Sequence, residues 1–294
     1  MKIRIATRKS KLALIQTEMV VFELKKHFPE LECEMVPIIA TGDKITQKNL
    51  YDIGGKALFL KELEEQLLDA RVDLAVHSLK DVPGVISKGL KIAAVLERTD
   101  PRDCFISLKN KSINELAPGS VIGSSSVRRK ILINSKRPDL KFVTFRGNIN
   151  TRLQKLKNGE VDATILACAG LHRAGLFDPE FCYPLEPDEM LPAAGQGAIA
   201  IQIRAGDKKM QKICNSINHK PTWYLIKAER SFMTYLDASC RTPMSAYAYY
   251  EGDKIRANYM LSDIDGNNIK FVSKLCKIEE VDQVGIDAAK ELQK

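Results

Sequence analysis

Strand-like and helix-like segments alternate along most of this chain, and this alternation limits the folds open to it more than any other feature of the sequence. A strand-like run from Lys2 to Ala6 is followed by a helical pattern that Ser10 can cap and that ends before Pro29. The apolar positions that share one face of this helix are Leu12, Ile15, Met19 and Phe22. The alternation continues with a strand, a helix and two strands, at 33–39, 59–70, 74–77 and 92–96. It predicts an α/β domain whose mostly parallel sheet is covered by helices.

A second series of alternating segments starts near Pro101 and predicts another α/β domain. Its strands and helices lie at 121–123, around Arg128, around Phe142, around Arg152 and at 163–166. The run over 198–204 alternates as a strand does and is assigned to the first sheet, and a smaller α+β unit follows Pro221. We therefore expect a first domain at residues 1–98 plus about 197–216, a second at 99–196 and a C-terminal domain at 217–294.

Composition and charge argue against several classes of protein. With 45% hydrophobic residues among 294, the chain can bury real cores, and it has no run of 18 apolar residues that could cross a membrane. Charges at Lys2, Arg4 and Arg8 interrupt what would be the apolar stretch of a signal peptide, so we expect a cytoplasmic protein. The seven cysteines include no Cys-x-x-Cys pair and the four histidines show no metal-ligand spacing, so neither disulfides nor a metal site is expected.

Two loops that enter predicted helices carry arginines close together in the sequence. The first is Gly-Ser-Ser-Ser-Val-Arg-Arg at 123–129, and the second is Arg-Gly-Asn at 146–148, which leads to Arg152. At the start of a helix the free backbone N–H groups and the positive end of the dipole attract anions, and each arginine can pair bidentately with a carboxylate. The two loops together predict a site for a small polyanion that carries several carboxylates or phosphates.

The apolar strand over 74–77 opens at its carboxyl end into the polar residues Lys80 and Asp81. Ligands of open α/β sheets bind at that end of the strands. The Lys-Asp pair could be an ordinary solvated pair, but a carboxylate that faces an arginine-lined cleft can hold a cationic N–H and shuttle a proton. Asp81 is therefore the candidate catalytic carboxylate. His77 and His172 are interpreted as hydrogen-bonded structural histidines rather than as bases.

Cys240 differs from the other cysteines in its surroundings. It lies in the polar, turn-like run Ala-Ser-Cys-Arg-Thr-Pro at 238–243, next to Arg241, whereas a free cysteine is usually a small buried hydrophobe. Exposure and a neighbouring cation favour the thiolate, so Cys240 is the candidate reactive cysteine. Cations near the ends of strands or the starts of helices form the rest of the candidate site: Arg8, Lys56, Lys80, Arg128, Arg129, Arg146, Arg152 and Arg173.

Six runs of the sequence, taken in order, resemble the hydroxymethylbilane synthase family, also called porphobilinogen deaminases, over essentially the whole chain. The runs are Arg-Ile-Ala-Thr-Arg-Lys-Ser, Gly-Gly-Lys-Ala-Leu-Phe, Ala-Val-His-Ser-Leu-Lys-Asp-Val-Pro, Gly-Ser-Ser-Ser-Val-Arg-Arg, Arg-Gly-Asn and Leu-Pro-Ala-Ala-Gly-Gln-Gly-Ala. The resemblance implies two α/β domains like type II periplasmic binding proteins, an active cleft between them, and a third domain whose cysteine carries a dipyrromethane cofactor. It also implies a transferase of porphyrin and heme biosynthesis, which condenses four porphobilinogen molecules onto that primer and releases hydroxymethylbilane by hydrolysis.

The site residues of the family carry over to positions of this sequence. Cys240 matches the cysteine that forms the thioether to dipyrromethane, Asp81 matches the catalytic carboxylate, and Lys56 belongs to the loop over the cleft. The residues implied to bind acetate and propionate groups are Lys80, Ser126, Arg128, Arg129, Arg146 and Arg152 for the cofactor, and Arg8, Ser10 and Arg173 for the substrate. The implied partners are porphobilinogen and, for the product, uroporphyrinogen-III synthase. We expect a monomer that binds neither nucleic acid nor membrane.

The cysteine loop departs from the usual pattern of the family. Where the family has glycines on either side of the cysteine, this chain has Ala238, Ser239 and Ser245. At any of these positions that takes a positive φ, the added side chain would cost on the order of 1 kcal/mol.

Two other classes of protein share part of this evidence. A non-enzymatic binding protein for small polyanionic solutes would have the same two-lobed fold and arginines, but it would not need Asp81 and a reactive Cys240 together. A nucleic-acid-binding protein would explain the net charge of +8. However, the basic residues are spread along the chain, with no recognised binding motif and little aromatic interleaving. The sequence therefore favours the enzyme.

Overall fold

The computed structural model of the chain describes residues 1–39, 60–239 and 242–294. Its first lobe contains a five-stranded sheet made of β1 (Lys2–Arg8), β2 (Glu32–Ile38), β3 (Leu74–Ser78), β4 (Leu90–Val95) and β10 (Ile199–Arg204). The strand order is β2-β1-β3-β10-β4, and β1 runs parallel to β2 and β3. β10 is antiparallel to both of its neighbours, because it enters the sheet from the other lobe. Four of the five strands therefore run in the same direction, as the alternation predicts, and β10 is the exception.

Among the described residues, the helices that cover this sheet are α1 (Lys11–His27), α2 (Lys61–Leu68) and α6 (Lys208–Ser216). The apolar face predicted for α1 is only partly buried: Leu12, Ile15 and Met19 are half-buried, and Phe22 is 63% exposed. The buried residues of the helix are Gln16, Thr17, Val20 and Leu24. Hydrogen bonds make the burial of the two polar residues possible, since Gln16 accepts one from Ser78 Oγ at 2.9 Å and Thr17 Oγ1 donates one to the Ala13 carbonyl at 2.9 Å. Hydrophobicity alone does not reveal such partners.

The second lobe repeats the architecture of the first. Its strands are β5 (Asp103–Ile106), β6 (Val121–Gly123), β7 (Lys141–Val143), β8 (Ala163–Ala167) and β9 (Cys182–Pro184), in the order β7-β6-β8-β5-β9. Its helices are α3 (Val127–Asn134), α4 (Ile149–Lys157) and α5 (Cys168–Arg173). β6 is parallel to β7 and β8, whereas β5 is antiparallel to β8 and β9. In each lobe, one strand is antiparallel to both of its neighbours, β10 in the first lobe and β5 in the second. Each is the first strand after the chain passes from the other lobe.

The chain crosses between the lobes after β4 and again before β10, and the two crossing segments lie side by side. The Thr99 N–H and hydroxyl both donate to the Gly197 carbonyl, at 3.2 and 3.1 Å. Gly197 has a φ of +89°, and a Cβ at this residue would lie 2.6 Å from the backbone carbonyl oxygen of Thr99. Only glycine fits there. The paired crossings hold the two lobes next to each other.

A smaller unit follows, with α7 (Lys220–Tyr235) and α8 (Val281–Leu292) packed on the antiparallel sheet of β11 (Met244–Glu251), β12 (Lys254–Leu261) and β13 (Lys270–Cys276). Its core contains Phe232 and Tyr259, whose ring centres lie 4.8 Å apart. Single-turn 3₁₀ helices occur at Leu79–Asp81, Ile113–Glu115 and Ile278–Glu280. No helix within the described residues has the length and hydropathy needed to cross a membrane.

The predicted α/β class is confirmed: two α/β lobes are joined to a smaller α+β unit. The residue limits given for the three domains remain a prediction.

Candidate active site

Asp81 lies at the carboxyl edge of the first sheet. It ends the single-turn helix that follows β3 directly, and Arg8 is the last residue of the neighbouring parallel strand β1. Parallel neighbours bring their carboxyl ends to the same edge, and Arg8 Nη1 lies 4.0 Å from Asp81 Oδ2. Their side chains are 24% and 35% exposed. The carboxylate is therefore open to a ligand and has a cation beside it.

Arg128 and Arg129 are buried at the start of α3 and share one carboxylate, that of the fully buried Asp103. Arg129 donates to Asp103 Oδ1 from Nε at 3.0 Å and from Nη2 at 2.7 Å. Arg128 Nη1 lies 2.7 Å from Asp103 Oδ2 and donates to the Leu191 carbonyl at 2.8 Å. Burial acts to raise the pKa of Asp103, but the charges of the two arginines outweigh it and hold that pKa far below its usual range. One carboxylate thus orients both guanidinium groups and balances one of their charges.

Lys80 reaches this cluster from the first lobe. Its Nζ donates to Gln196 Oε1 at 3.3 Å, and Gln196 Nε2 donates to Asp103 Oδ1 at 3.1 Å. Burial, and then repulsion by Arg129, lowers the pKa of Lys80 to about 8. A bound anion would oppose both effects, so the cluster is suited to a negatively charged ligand.

The second arginine loop also enters a helix, as its sequence predicts. Asn148 caps α4, and its side-chain oxygen accepts a backbone N–H of the first turn at 2.9 Å. Arg152, in that turn, donates from Nε to the Gly147 carbonyl at 2.9 Å. Burial, followed by repulsion from Arg129 and Arg146, lowers the pKa of Arg152 to about 10. The guanidinium groups of the two helix starts therefore lie close enough to repel each other, an arrangement that a polyanion would stabilise.

Three further predicted ligands already make contacts within the protein. Arg173 donates from Nη2 to the Gly197 carbonyl at 2.6 Å and to the Thr99 hydroxyl at 3.0 Å, so it joins α5 to the crossing segments. Burial lowers the pKa of Arg173 to about 10. Ser10 and Ser126 cap α1 and α3, and each hydroxyl accepts a backbone N–H at 3.4 Å. Both hydroxyls keep an O–H donor for a ligand.

Cys240, Arg241 and Lys56 lie outside the described residues. The positions where the family usually has glycine are described. Among the described residues, the non-glycine positions with positive φ are Ala70 and Asp237, so Ala238, Ser239 and Ser245 all have ordinary backbone angles. The cost of about 1 kcal/mol considered for these side chains does not arise.

The end of α7 and the residues that follow it are bound to the segment after Asp81. Arg230 in α7 donates to the three carbonyls of residues 82–84, at 3.3, 2.8 and 3.2 Å. The Gly84 N–H donates to the Ala238 carbonyl at 2.8 Å. Ala238, two residues before the predicted reactive cysteine, is therefore hydrogen-bonded to Gly84, which lies three residues after the candidate catalytic carboxylate Asp81.

The two histidines interpreted as structural have partners in the protein. His77 Nε2 lies 2.9 Å from Gln202 Oε1, and Gln202 Nε2 donates to Glu64 Oε1 at 2.7 Å. Burial lowers the pKa of His77 to about 4, so its ring is neutral near pH 7. His172 stacks on Phe177, with ring centres 4.2 Å apart.

Sequence reasoning missed four residues that hold the site together: Asp103, Gln196, Arg98 and Glu229. Arg98 donates from Nη1 to Glu229 Oε1 at 2.6 Å and from Nε to the Gln196 carbonyl at 2.8 Å. Glu229 is completely buried and accepts the Gly195 N–H at 2.7 Å. These bonds join both crossing segments to α7. The sequence did indicate one of them, because Glu229 lies on an otherwise mostly apolar helix face, and a charged residue there requires a buried partner.

Sequence models of two protein-family domains match this chain. Residues 3–212 match the domain described as "Porphobilinogen deaminase, dipyromethane cofactor binding domain", and residues 223–294 match "Porphobilinogen deaminase, C-terminal domain". A porphobilinogen deaminase of Rickettsia akari is 57% identical over 289 residues, which are 98% of this chain and 96% of the relative. One from Rickettsia bellii is 55% identical, with the same coverage.

The solved structures that match this chain are much more distant in sequence. A probable amino-acid ABC transporter extracellular-binding protein of Bacillus subtilis, ytmK, is 12% identical, with a TM-score of 0.45. The match covers 79% of this chain and 96% of that one.

Proposed function

The chain belongs to the porphobilinogen deaminase family, and we propose which of its residues perform the reaction of that family. It is a transferase of tetrapyrrole biosynthesis, a hydroxymethylbilane synthase that uses dipyrromethane as its cofactor. The observation that carries our assignment of residues is the position of Asp81 at the edge of a group of cations drawn from both lobes. A carboxylate there can serve proton transfer while the cations hold an anionic chain.

A dipyrromethane fits this group of cations. Each of its rings carries an acetate and a propionate. These carboxylates would offset the burial and the repulsion between cations that lower the pKa of Lys80 to about 8 and that of Arg152 to about 10. We assign the thioether to Cys240. The residues assigned to its carboxylates are Lys80, Ser126, Arg128, Arg129, Arg146 and Arg152. When bound, the group supplies the pyrrole carbon onto which porphobilinogen units are added. A chain of up to six rings has about a dozen carboxylates, which explains the need for many arginines.

We assign the incoming porphobilinogen to Arg8, Ser10 and Arg173. Arg8 is the cation beside Asp81 and can bind a substrate carboxylate there. Arg173 Nε is buried without a hydrogen-bond acceptor among the described residues, and a ligand carboxylate would satisfy it. Lys56, outside the described residues, is assigned to a loop over the cleft. This arrangement orients the substrate by its acidic side chains.

Each condensation breaks the C–N bond of the aminomethyl group of porphobilinogen, releases ammonia and forms a C–C bond with loss of one proton. Positive charge develops on the pyrrole nitrogen of the substrate as ammonia leaves. The Asp81 carboxylate holds that N–H, stabilises the charge and passes on the proton that is lost, a role worth about 10² to 10⁴ in rate. Arg8 binds one carboxylate of the substrate and so keeps the substrate in place during the condensation.

The limits of the domains and the cellular setting complete the proposal. We assign residues 1–98 plus about 197–216 to the first domain, 99–196 to the second and 217–294 to the third, in keeping with the two crossings of the chain. The protein acts as a monomer and passes its product to uroporphyrinogen-III synthase. We place it in the cytoplasm, since the six described cysteines are free, which is typical of a reducing compartment.

Mass spectrometry tests the attachment at Cys240. The chain purified from cells that make porphobilinogen should carry one added dipyrrole, which maps to the Cys240 peptide and is absent in Cys240→Ser. Cys33→Ser is the matched control, because Cys33 is a partly exposed cysteine near the amino end of β2, the opposite end of the sheet from Asp81, and this variant should keep the addition. An unmodified Cys240 in a chain that still makes hydroxymethylbilane would contradict the assignment.

Turnover tests the role of Asp81. Asp81→Asn should keep the fold and the attached dipyrrole but lower the rate of product formation by at least about 10², because an amide cannot stabilise the developing cation as a carboxylate does. Asp69→Asn is the control, since Asp69 is an exposed carboxylate that pairs with Arg71 away from the cleft. Near-normal turnover in Asp81→Asn would remove the role. Binding of porphobilinogen without release of ammonia by the wild-type chain would favour the non-enzymatic alternative.

A further inference from the structure

The side chain of Gln196 connects the two lobes at the site. It lies on the second crossing segment and is completely buried. Its Oε1 accepts a hydrogen bond from Lys80 of the first lobe at 3.3 Å. Its Nε2 donates to Asp103 Oδ1 of the second lobe at 3.1 Å and to the Pro101 carbonyl at 2.7 Å. One amide therefore touches a cation of one lobe and the carboxylate that orients the arginines of the other.

The chemistry of these contacts requires an amide in a single orientation. The opposite orientation would place an NH₂ group against the Lys80 ammonium and an oxygen against the Asp103 carboxylate, and both contacts would be repulsive. A hydrocarbon side chain would leave the buried Asp103 and Lys80 with one partner fewer. An amide offers an uncharged donor and an acceptor on one rigid plane at any pH near neutrality.

The backbone on either side fixes where this amide points. Gly195 and Gly197 have φ values of +71° and +89°, and a Cβ at Gly195 would lie 2.8 Å from the Leu79 side chain. The Gln196 carbonyl accepts a hydrogen bond from Arg98 Nε at 2.8 Å. The amide has little freedom to follow a partner that moves, so its reach sets the distance between the groups it binds.

We infer that Gln196 is a positioning residue, which sets the separation between Lys80 on the first lobe and the pair Arg128 and Arg129, held by Asp103, on the second. The spacing of these cations determines which carboxylates of a polyanion can be bound at the same time. The inference rests on the function proposed above for these cations. The charged groups that face Lys80 are Asp81, Asp103, Arg128 and Arg129. Gln196 itself touches no reacting atom in this scheme.

Gln196→Met tests the inference, with Gln202→Met as its matched control. Both glutamines are completely buried and hydrogen-bonded through both the oxygen and the nitrogen of the amide, but Gln202 binds His77 and Glu64 inside the first lobe. Gln196→Met should raise the KM for porphobilinogen about tenfold, the equivalent of one lost hydrogen bond to a charged group, and should lower kcat much less. Gln202→Met should reduce thermal stability without this change in KM.

The titration of Lys80 gives a readout that does not depend on activity. In lysine-labelled Cys240→Ser chain, which carries no dipyrrole, and with the signal assigned by its loss in Lys80→Arg, the NMR midpoint should lie near pH 8. It should fall further in Gln196→Met, because the ammonium loses an acceptor, and stay in place in Gln202→Met. If Gln196→Met does not fold, Gln196→Asn serves instead, since its shorter side chain cannot reach both lobes.

Gln196→Glu adds a signature that a merely structural role lacks. In this variant, the ionised carboxylate introduced at position 196 would repel Asp103, whereas its protonated form would again donate a hydrogen bond to Asp103. The activity relative to wild type should therefore recover as the pH falls from 8 to about 6 and the introduced carboxylate takes up a proton. An unchanged KM and an unchanged Lys80 midpoint in Gln196→Met would overturn the inference, as would equal changes in Gln202→Met. Failure of the wild-type chain to consume porphobilinogen would instead refute the proposed function, while the Lys80 titration would still report on Gln196.

Discussion

Replacing Arg98 by methionine should destabilise the protein strongly, because it removes the charge partner of a carboxylate that has no access to water. Arg98 and Glu229 are 7% and 0% exposed, and the guanidinium group donates to both carboxylate oxygens, at 2.6 and 3.3 Å. Breaking a buried pair from one side costs about 3 to 5 kcal/mol. The Gly195 and Ala248 N–H groups still donate to Glu229, at 2.7 and 2.8 Å, so we expect the lower part of that range, about 3 to 4 kcal/mol.

Thermal unfolding measures this cost. At roughly 2 to 4 °C per kcal/mol, Arg98→Met should lower the Tm by roughly 6 to 16 °C, as followed by circular dichroism. Arg102→Met is the control, because Arg102 also pairs with two carboxylates, Asp100 and Glu186, but is 32% exposed and should contribute at most about 1 kcal/mol. The double variant Arg98→Met with Glu229→Gln should recover part of the loss, since no buried charge then lacks its partner. Equal Tm values for Arg98→Met and Arg102→Met would refute the reasoning.

Three further substitutions test separate parts of the structure. Gly197→Ala should cost at least about 2 kcal/mol in urea denaturation, because of its positive φ and a Cβ 2.6 Å from the Thr99 oxygen, whereas Gly206→Ala, with nothing within 4 Å of the added Cβ, should be nearly neutral. Burial lowers the pKa of His77 to about 4, so between pH 6.5 and 4 this histidine is protonated in the unfolded chain but not in the folded one. The wild type should therefore lose stability as the pH falls through that range. His77→Gln should make the Tm depend less on pH there. Arg129→Lys keeps the charge but not the fork on the buried carboxylate, so it should cost about 1 to 3 kcal/mol, and an unchanged Tm would contradict the contacts described.

Local features of the site were predictable because they depend on short stretches of chain. Ser10, Ser126 and Asn148 cap helices where a hydroxyl or amide residue precedes a helical pattern, and each side chain binds a backbone N–H three residues on. The arginines Arg128 and Arg152 lie in the first turns of the helices that Ser126 and Asn148 cap. The alternation of strands and helices likewise predicted the α/β class, since it reflects periodicity within each segment.

The amino-acid sequence by itself determined the α/β class, the helix caps and, through its resemblance to a family, the reaction. Tertiary structure alone decided which polar groups meet. Asp103 binds an arginine 26 residues away, Gln196 reaches Asp103 across 93, and Arg98 meets Glu229 across 131. It also decided that Gln16 and Thr17 lie on the buried face of α1 while Phe22 is exposed. Such pairings depend on where the chain crosses between the lobes and which strand it joins, and no pattern of neighbouring residues specifies these crossings. The free energy of a buried charge depends on its partners, and only the folded chain brings those partners within reach.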